Sequence, residues 1–222
     1  MEKYVLIVAG GKGLRMKSEL PKQFIEINNK PVLMHAFDAF SSIGNINHFI
    51  LVLAAEHIAY WKKLCEKHRF KTEHTVIEGG PKRYHSVKRG LSSIPTNSLV
   101  AIHDAVRPFV SQNIINNGFD IAARKGNAIP SVAINESIRK ISGSLSKPVN
   151  RENFKIIQTP QFFQSVLIKK AYEQAFNEKF TDDANILESS GKQIYLIEGD
   201  TKNIKITHSE ELAYAESLIK LR

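Results

Sequence analysis

Val5-Leu6-Ile7-Val8-Ala9, running directly into Gly10-Gly11-Lys12-Gly13, is the stretch on which the fold turns. Consecutive apolar residues without polar alternation describe a strand covered on both faces, and the glycines stop it in a loop. Such strands belong to parallel sheets, whose faces need helices. The sequence supplies one at Pro31-Val32-Leu33-Met34-His35-Ala36-Phe37-Asp38-Ala39-Phe40, where apolar side chains recur at helical spacing and Pro31 suits a first turn. The alternation then repeats. Residues 49–53 are apolar and β-rich, and residues 57–68 place Ile58, Trp61, Leu64 and Cys65 on one helical face. A short strand over 75–77 meets Gly79-Gly80-Pro81, where Gly80 can cap and Pro81 can open a helix running through Leu91. Residues 99–102 form another buried strand that ends in His103-Asp104-Ala105-Val106-Arg107-Pro108. This order predicts a doubly wound, mostly parallel α/β sheet.

Beyond residue 128 the rhythm changes. Two extended, partly charged stretches, 137–141 and 153–157, flank the turn-rich Ser142-Gly143-Ser144-Leu145-Ser146-Lys147-Pro148, which predicts a protruding hairpin arm over about residues 136–157. A helix over 165–177, a segment after Asp182, strands over 193–197 and 203–206 and a terminal helix from His208 follow. With no repeat or interdomain linker, residues 1–222 read as one domain.

A chain of 222 residues buries enough surface to fold without a staple. Lys and Arg number 31 against 22 Asp and Glu, a net charge of +9 that calls for an anionic partner: nucleic acid, a membrane surface or a phosphorylated substrate. Hydrophobic residues at 42% and charged residues at 24% exclude disorder and fibrous repeats. Cys65 is the lone cysteine, so an intrachain disulfide is excluded. No Cys-x-x-Cys or His-Glu-x-x-His spacing offers a zinc or iron–sulfur site. The chain reads as cytoplasmic, since its apolar runs fall far short of a signal-peptide core or a membrane span.

Ligands of open α/β sheets bind at the carboxyl ends of strands. Adjacent glycines after the first strand let backbone N–H groups turn inward as an anion nest, although a plain tight turn has the same pattern. Arg15 and Lys22 beside it favour a polyphosphate. This is neither a Walker A loop nor a dinucleotide fingerprint, because the Lys-Ser/Thr and the third glycine are missing. Asp104 at a strand end suits Mg²⁺ or a ribose hydroxyl. Arg107 beside it suits either phosphate or a structural pair with Asp104. His103 reads as a packing or supporting histidine. Gly79-Gly80 permits close approach to a flat ring, and Ser86, one turn into the helix, can read a base edge; helix-start glycines are also simply caps. Arg151, Thr159-Pro160-Gln161, Thr181-Asp182-Asp183-Ala184 and Lys205 are each ordinary surface residues when taken singly.

Taken in order, Ala9-Gly10-Gly11-x-Gly13-x-Arg15-Met16, Pro21-Lys22-Gln23, Gly79-Gly80-x-x-Arg83-x-x-Ser86-Val87, the His103–Pro108 segment, Thr159-Pro160-Gln161, Thr181-Asp182-Asp183-Ala184 and Asn203-Ile204-Lys205-Ile206-Thr207 form a set. It resembles the nucleotide-diphospho-sugar transferase superfamily and, within it, the 2-C-methyl-D-erythritol 4-phosphate cytidylyltransferase family of non-mevalonate isoprenoid synthesis. The resemblance runs from the first strand to the terminal helix. It implies a Rossmann-like nucleotidyltransferase with a β-hairpin arm. It also implies that CMP passes from CTP to the polyol phosphate, with release of pyrophosphate. By the resemblance, Ala9, Gly10, Gly11 and Gly13 cradle CTP, while Gly80 and Ser86 read cytosine. Arg15 and Lys22 stabilise the transition state, and Asp104 and Ala105 lie by the ribose, with Asp104 on Mg²⁺. Arg107, Ser137, Arg151, Thr159, Thr181 and Lys205 surround the polyol phosphate, Arg151 and Lys205 aligning its phosphate. A homodimer with crossing arms is implied as well, so that Arg151 and Ser137 serve the neighbouring site.

Three positions depart from the family pattern: Pro81-Lys82 stands where an acidic residue is frequent, Glu136-Ser137 replaces Asp-Thr, and Lys155 replaces an aromatic. A ribitol-5-phosphate cytidylyltransferase shares the glycine loop and the His103–Pro108 pattern. A nucleic-acid-binding module is disfavoured because the basic residues are scattered and no recognition motif occurs. A nicotinamide-dependent enzyme is disfavoured by the missing third glycine.

Overall fold

In the computed structural model, residues 1–10 and 20–220 are described. The opening apolar run folds as β1 (Glu2–Ala9), followed by a small antiparallel ribbon, β2 (Glu26–Ile27) with β3 (Lys30–Pro31). Then α1 (Val32–Ser41), β4 (His48–Leu53), α2 (Ala55–Lys67), β5 (Thr75–Glu78), α3 (Arg83–Ser92) and β6 (Ser98–Asp104) alternate as the sequence predicts. The second half holds α4 (Gln112–Lys125), β7 (Asn127–Ala133), β8 (Arg139–Ser142), β9 (Leu145–Pro148), β10 (Lys155–Ile157) and β11 (Gln161–Gln164). It closes with α5 (Ser165–Ala171), α6 (Asp183–Ser189), β12 (Leu196–Glu198) and α7 (Ser209–Lys220).

The sheet places β1 between β4 and β6, parallel to both, with β5 beyond β4. On the other side β11 lies antiparallel between β6 and β7, and β12 and β10 also pair with β7. Alternation along β1 fills both faces. Val5 and Ile7 pack with Leu33 and Phe37 of α1, Trp61 of α2 and Phe119 of α4. Leu6 packs with Val87 and Leu91 of α3, Ile168 of α5 and Leu187 of α6 on the opposite face. Burying about five such side chains in one strand stabilises the sheet by roughly 1.5–3 kcal/mol each, which fixes β1 at the centre. A smaller cluster of Ile27, Val32, Val106, Phe109, Ile206, Ala215 and Leu218 binds α7 to the 203–207 segment.

Several expectations are corrected. The helix expected from Pro81 begins at Arg83, with extended Lys82 as its N-cap. The arm exists, but its two strands are β8 and β9, paired Ser142↔Leu145 across Gly143 at φ +59°, while residues 155–157 return to the sheet as β10. Leu145-Ser146-Lys147-Pro148 is therefore strand rather than turn. The helix from Ser165 stops at Ala171, and the strand expected over 193–197 is β12, Leu196–Glu198. Residues 203–206 form no strand: Ile206 is buried against α7 and its N–H donates to the Val106 carbonyl at 2.9 Å.

Candidate active site

The chain lays down β1, β4 and β5 outward, then crosses back to place β6 on the other flank of β1. That reversal opens a crevice at the carboxyl ends of the strands. A cleft of about 500 Å³ occupies it, lined by Ala9 and Gly10, Lys22 and Gln23, residues 78–83, Asp104–Val106 and Lys205. Gln23, buried in a single 3₁₀ turn (Lys22–Phe24), donates from Nε2 to the Ala9 carbonyl at 3.2 Å, which ties that turn to the end of β1 and brings Lys22 to the cleft. Opposite, the Ser86 hydroxyl accepts the Gly80 N–H at 3.1 Å beneath the cleft floor. A Cβ on Gly80 would stand 2.4 Å from the His85 Cβ, and one on Gly10 would stand 3.0 Å from the Ser86 hydroxyl, so the floor closes only around glycines.

Asp104 is the electrostatic focus. Lys205 Nζ lies 2.8 Å from Oδ2, Arg83 Nε 3.5 Å from Oδ1 and Arg107 Nε 3.9 Å from Oδ2. Burial pushes the carboxyl pKa up, but Arg83, Lys205 and Arg107 outweigh burial and hold it well below the usual carboxylate range. Asp104 is therefore ionised at neutral pH and gathers three cations. Behind it, the Thr159 hydroxyl accepts the Asp104 N–H at 3.1 Å and lies 3.3 Å from His103 Nδ1. The Arg107 carbonyl, 2.9 Å from Nε2, needs a donor there, and in the neutral ring Nδ1 is then left to accept from the Thr159 hydroxyl. Burial depresses the His103 pKa to about 4, consistent with this. His103 is thus a supporting group, as the sequence indicates.

Ala9, Gly10, Lys22, Gly80, Asp104, Ala105 and Lys205 meet at the cleft. Gly11, Gly13 and Arg15 lie outside the described residues. Ser86 and Thr159 stand behind the lining with their hydroxyls committed to backbone. Arg107 is nearly enclosed and donates from Nη1 to the Asn203 carbonyl at 2.7 Å, the structural pairing rather than an open contact. Thr181 is exposed one residue ahead of Asp182, which caps α6 by accepting the Asn185 N–H at 2.8 Å. Ser137 and Arg151 sit on the exposed arm region and do not line this cleft; Arg151 Nη1 donates to the Asn135 carbonyl. The sequence motifs contain Arg83, Gln23 and Asp183 but assign them no role. Arg83 carried a signal, since a cation in a first helical turn opposes the helix dipole and needs a reason to be there.

Among the described residues no cluster of three or more acidic, His or Cys side chains forms a metal cage. Asp104 already faces three cations, and Oδ2 is held by Lys205 at 2.8 Å, but Oδ1, 3.5 Å from Arg83 Nε, keeps lone pairs for a magnesium ion that takes its remaining ligands from phosphate and water.

The 2-C-methyl-D-erythritol 4-phosphate cytidylyltransferase family model matches residues 4–221. Proteins bearing that name are 47% identical over 214 residues in Bacteroides fragilis, covering 96% of this chain and 98% of the relative. In Phocaeicola vulgatus the identity is 43% over 219 residues, covering 99% and 100%. The crystal structure of 4-diphosphocytidyl-2C-methyl-D-erythritol synthase from Anaerococcus prevotii superposes with a TM-score of 0.83 at 27% identity, covering 99% of this chain and 96% of that one. The Thermus thermophilus cytidylyltransferase gives 0.78 at 27%, covering 99% and 100%. None of these matches favours ribitol phosphate. The chain belongs to the 2-C-methyl-D-erythritol 4-phosphate cytidylyltransferase family.

Proposed function

We propose that the cleft at the ends of β1 and β6 transfers CMP from CTP to 2-C-methyl-D-erythritol 4-phosphate, with pyrophosphate as the leaving group. The observation that carries this reading is the convergence of Lys22, Lys205 and ionised Asp104 on a glycine-floored cleft in a chain of this family. A phosphate oxygen of the acceptor attacks the α-phosphorus of CTP; the P–O bond to the β-phosphate breaks, and its electron pair leaves with pyrophosphate. The nucleophile is already anionic at neutral pH, so a strong general base is unnecessary. The protein must hold two mutually repelling anions in line and neutralise charge as it builds.

The residues divide that work. Ala9, Gly10, Gly11 and Gly13 cradle the triphosphate with backbone N–H groups. Gly80, held in place by Ser86, faces the cytosine. Arg15 and Lys22 stabilise the α-phosphate and departing pyrophosphate, while Lys205, steadied by Asp104, aligns the acceptor phosphate. Asp104 and Ala105 lie by the ribose; Thr159 and Arg107 keep Asp104 and the 203–207 segment in register; Thr181 lies on the acceptor side. Asp104 would also hold Mg²⁺, which supplies charge neutralisation on the phosphates when bound.

The arm proposes a homodimer. Ile141 is 66% exposed and Leu145 71% exposed on a two-stranded hairpin, and such a ribbon is marginal in water without a surface to cover it. A second copy of the chain provides that surface, and Ser137 and Arg151 then reach the neighbouring cleft. No helix among the described residues is long and apolar enough to cross a membrane, and the cleft cations find phosphorylated small molecules without invoking nucleic acid.

Steady-state pyrophosphate release with CTP and each polyol phosphate tests the assignment. Lys22→Ala is expected to lose on the order of 10²–10³ in turnover, as when one preorganised donor is removed. Near-normal turnover would remove Lys22 from the chemistry.

A further inference from the structure

Arg83, on the lining of the cleft, and Asp183, 100 residues further along the chain and behind that lining, form a pair. Asp183 is fully buried and takes both arms of the Arg83 fork, Nη1 on Oδ1 at 2.8 Å and Nη2 on Oδ2 at 2.7 Å. The Tyr172 hydroxyl donates to the same Oδ1 at 2.5 Å. Capping does not account for this carboxylate, because Asp182 caps α6. Nor does stability by itself, because a buried ion pair is often replaceable by apolar residues with little loss. Its geometric consequence lies at Asp104. With both terminal nitrogens committed to Asp183, Arg83 turns only Nε toward Asp104, 3.5 Å from Oδ1, while Oδ2 stays with Lys205 at 2.8 Å.

We propose that Asp183 is a positioning residue for the transfer reaction: by occupying the Arg83 fork, it keeps Arg83 off the second oxygen of Asp104 and leaves that oxygen to Lys205. A guanidinium prefers a carboxylate bidentately. Released from Asp183, Arg83 turns its fork onto Asp104 and displaces the Lys205 ammonium from the place where it meets the acceptor phosphate. Asp183 thus acts on the chemistry through Arg83 and Asp104 without touching substrate. Thr181-Asp182-Asp183-Ala184 then has two separate tasks, Asp182 ending a helix and Asp183 setting the cleft. The inference rests on the proposed active site.

The test is pyrophosphate release by the full chain, with CTP and methylerythritol phosphate varied in turn, alongside thermal melting. Asp183→Asn is expected to lower kcat by about 10², the scale of a small misplacement of a reacting group, with the KM for CTP changed less than about twofold. Adding Arg83→Met removes the competitor for Asp104, and the double variant is expected to regain at least about tenfold of that loss. A purely structural Asp183 gives the opposite order, with the double variant as poor as Asp183→Asn or poorer, and that order overturns the proposal. Should Asp183→Asn melt below the assay temperature, the double variant decides, since it leaves no buried charge unpaired: turnover within about tenfold of wild type supports the proposal, and a loss beyond about 10² overturns it. Wild-type protein that releases no pyrophosphate from this substrate pair would instead overturn the proposed function.

Discussion

His103 and Asp104 are neighbours with opposite ionisation behaviour, and each sets a different part of the acid response. His103 is fully buried and its pKa falls to about 4, so below the ordinary imidazole value of 6.5 the unfolded chain takes up a proton that the folded chain refuses. Its contribution is complete above pH 6.5 and fades as pH falls toward 4, by about 3 kcal/mol at most. Asp104, held ionised by its cations, loses its contribution only lower, as pH falls below 3.8. Urea midpoints measured from pH 7 to 4 are expected to decline through the histidine window, and His103→Gln is expected to flatten that decline; an unchanged slope would show that other groups carry it. Asp104 and the glycines were legible in the sequence because their chemistry is conspicuous at strand ends, whereas Lys205, an ordinary surface residue when taken singly, was legible only through the family resemblance. Arg83 and Asp183 stood in the quoted motifs without a role, since a pair that closes across 100 residues leaves no local spacing to read.

Elements were legible where local pattern and tertiary role agree. β1, β4 and β6 are covered on both faces and so appear as unbroken apolar runs. β11 begins just after Pro160 and holds only two apolar residues between glutamines; its burial comes from lying between β6 and β7, a fact of topology alone. Residues 203–206 mislead in the other direction, because Ile204 and Ile206 alternate like a strand but pack with the α7 cluster. α4 shows what packing adds to propensity. A Cβ on Gly118 would stand 2.2 Å from Phe162 Cε2, in the middle of a ring that is itself packed edge-on against Phe119. Gly118→Ala ordinarily favours a helix by roughly 1 kcal/mol, but here the ring has no room to retreat and overpacking costs about 1–3 kcal/mol. The variant is therefore expected to unfold at lower urea than wild type, and a higher midpoint would show that α4 can lift off the sheet freely.

At the scale of the whole molecule, the position of the cleft follows from connectivity, and the net charge of +9 matters less than where a few cations stand. Lys205 reaches the cleft because Ile204 and Ile206 anchor its segment among the residues around α7, whereas Arg151 lies on the arm region and lines no part of its own chain's cleft. If the arms exchange between two copies, one active site is built from Lys22 of one subunit and Arg151 of the other, and lesions at the two positions complement. Lys22→Ala and Arg151→Ala proteins, each nearly inactive alone, are mixed after unfolding and refolded together. Random pairing makes about half of the dimers mixed, and in each mixed dimer one site carries both lesions while the other carries neither, so about a quarter of wild-type turnover is expected to return. With Arg151 acting on its own chain's cleft, every site keeps one lesion and refolding together restores nothing. Size-exclusion of the same mixture separates this outcome from failed assembly, because dimers without restored turnover place Arg151 in its own subunit, while monomers remove the arm from assembly altogether.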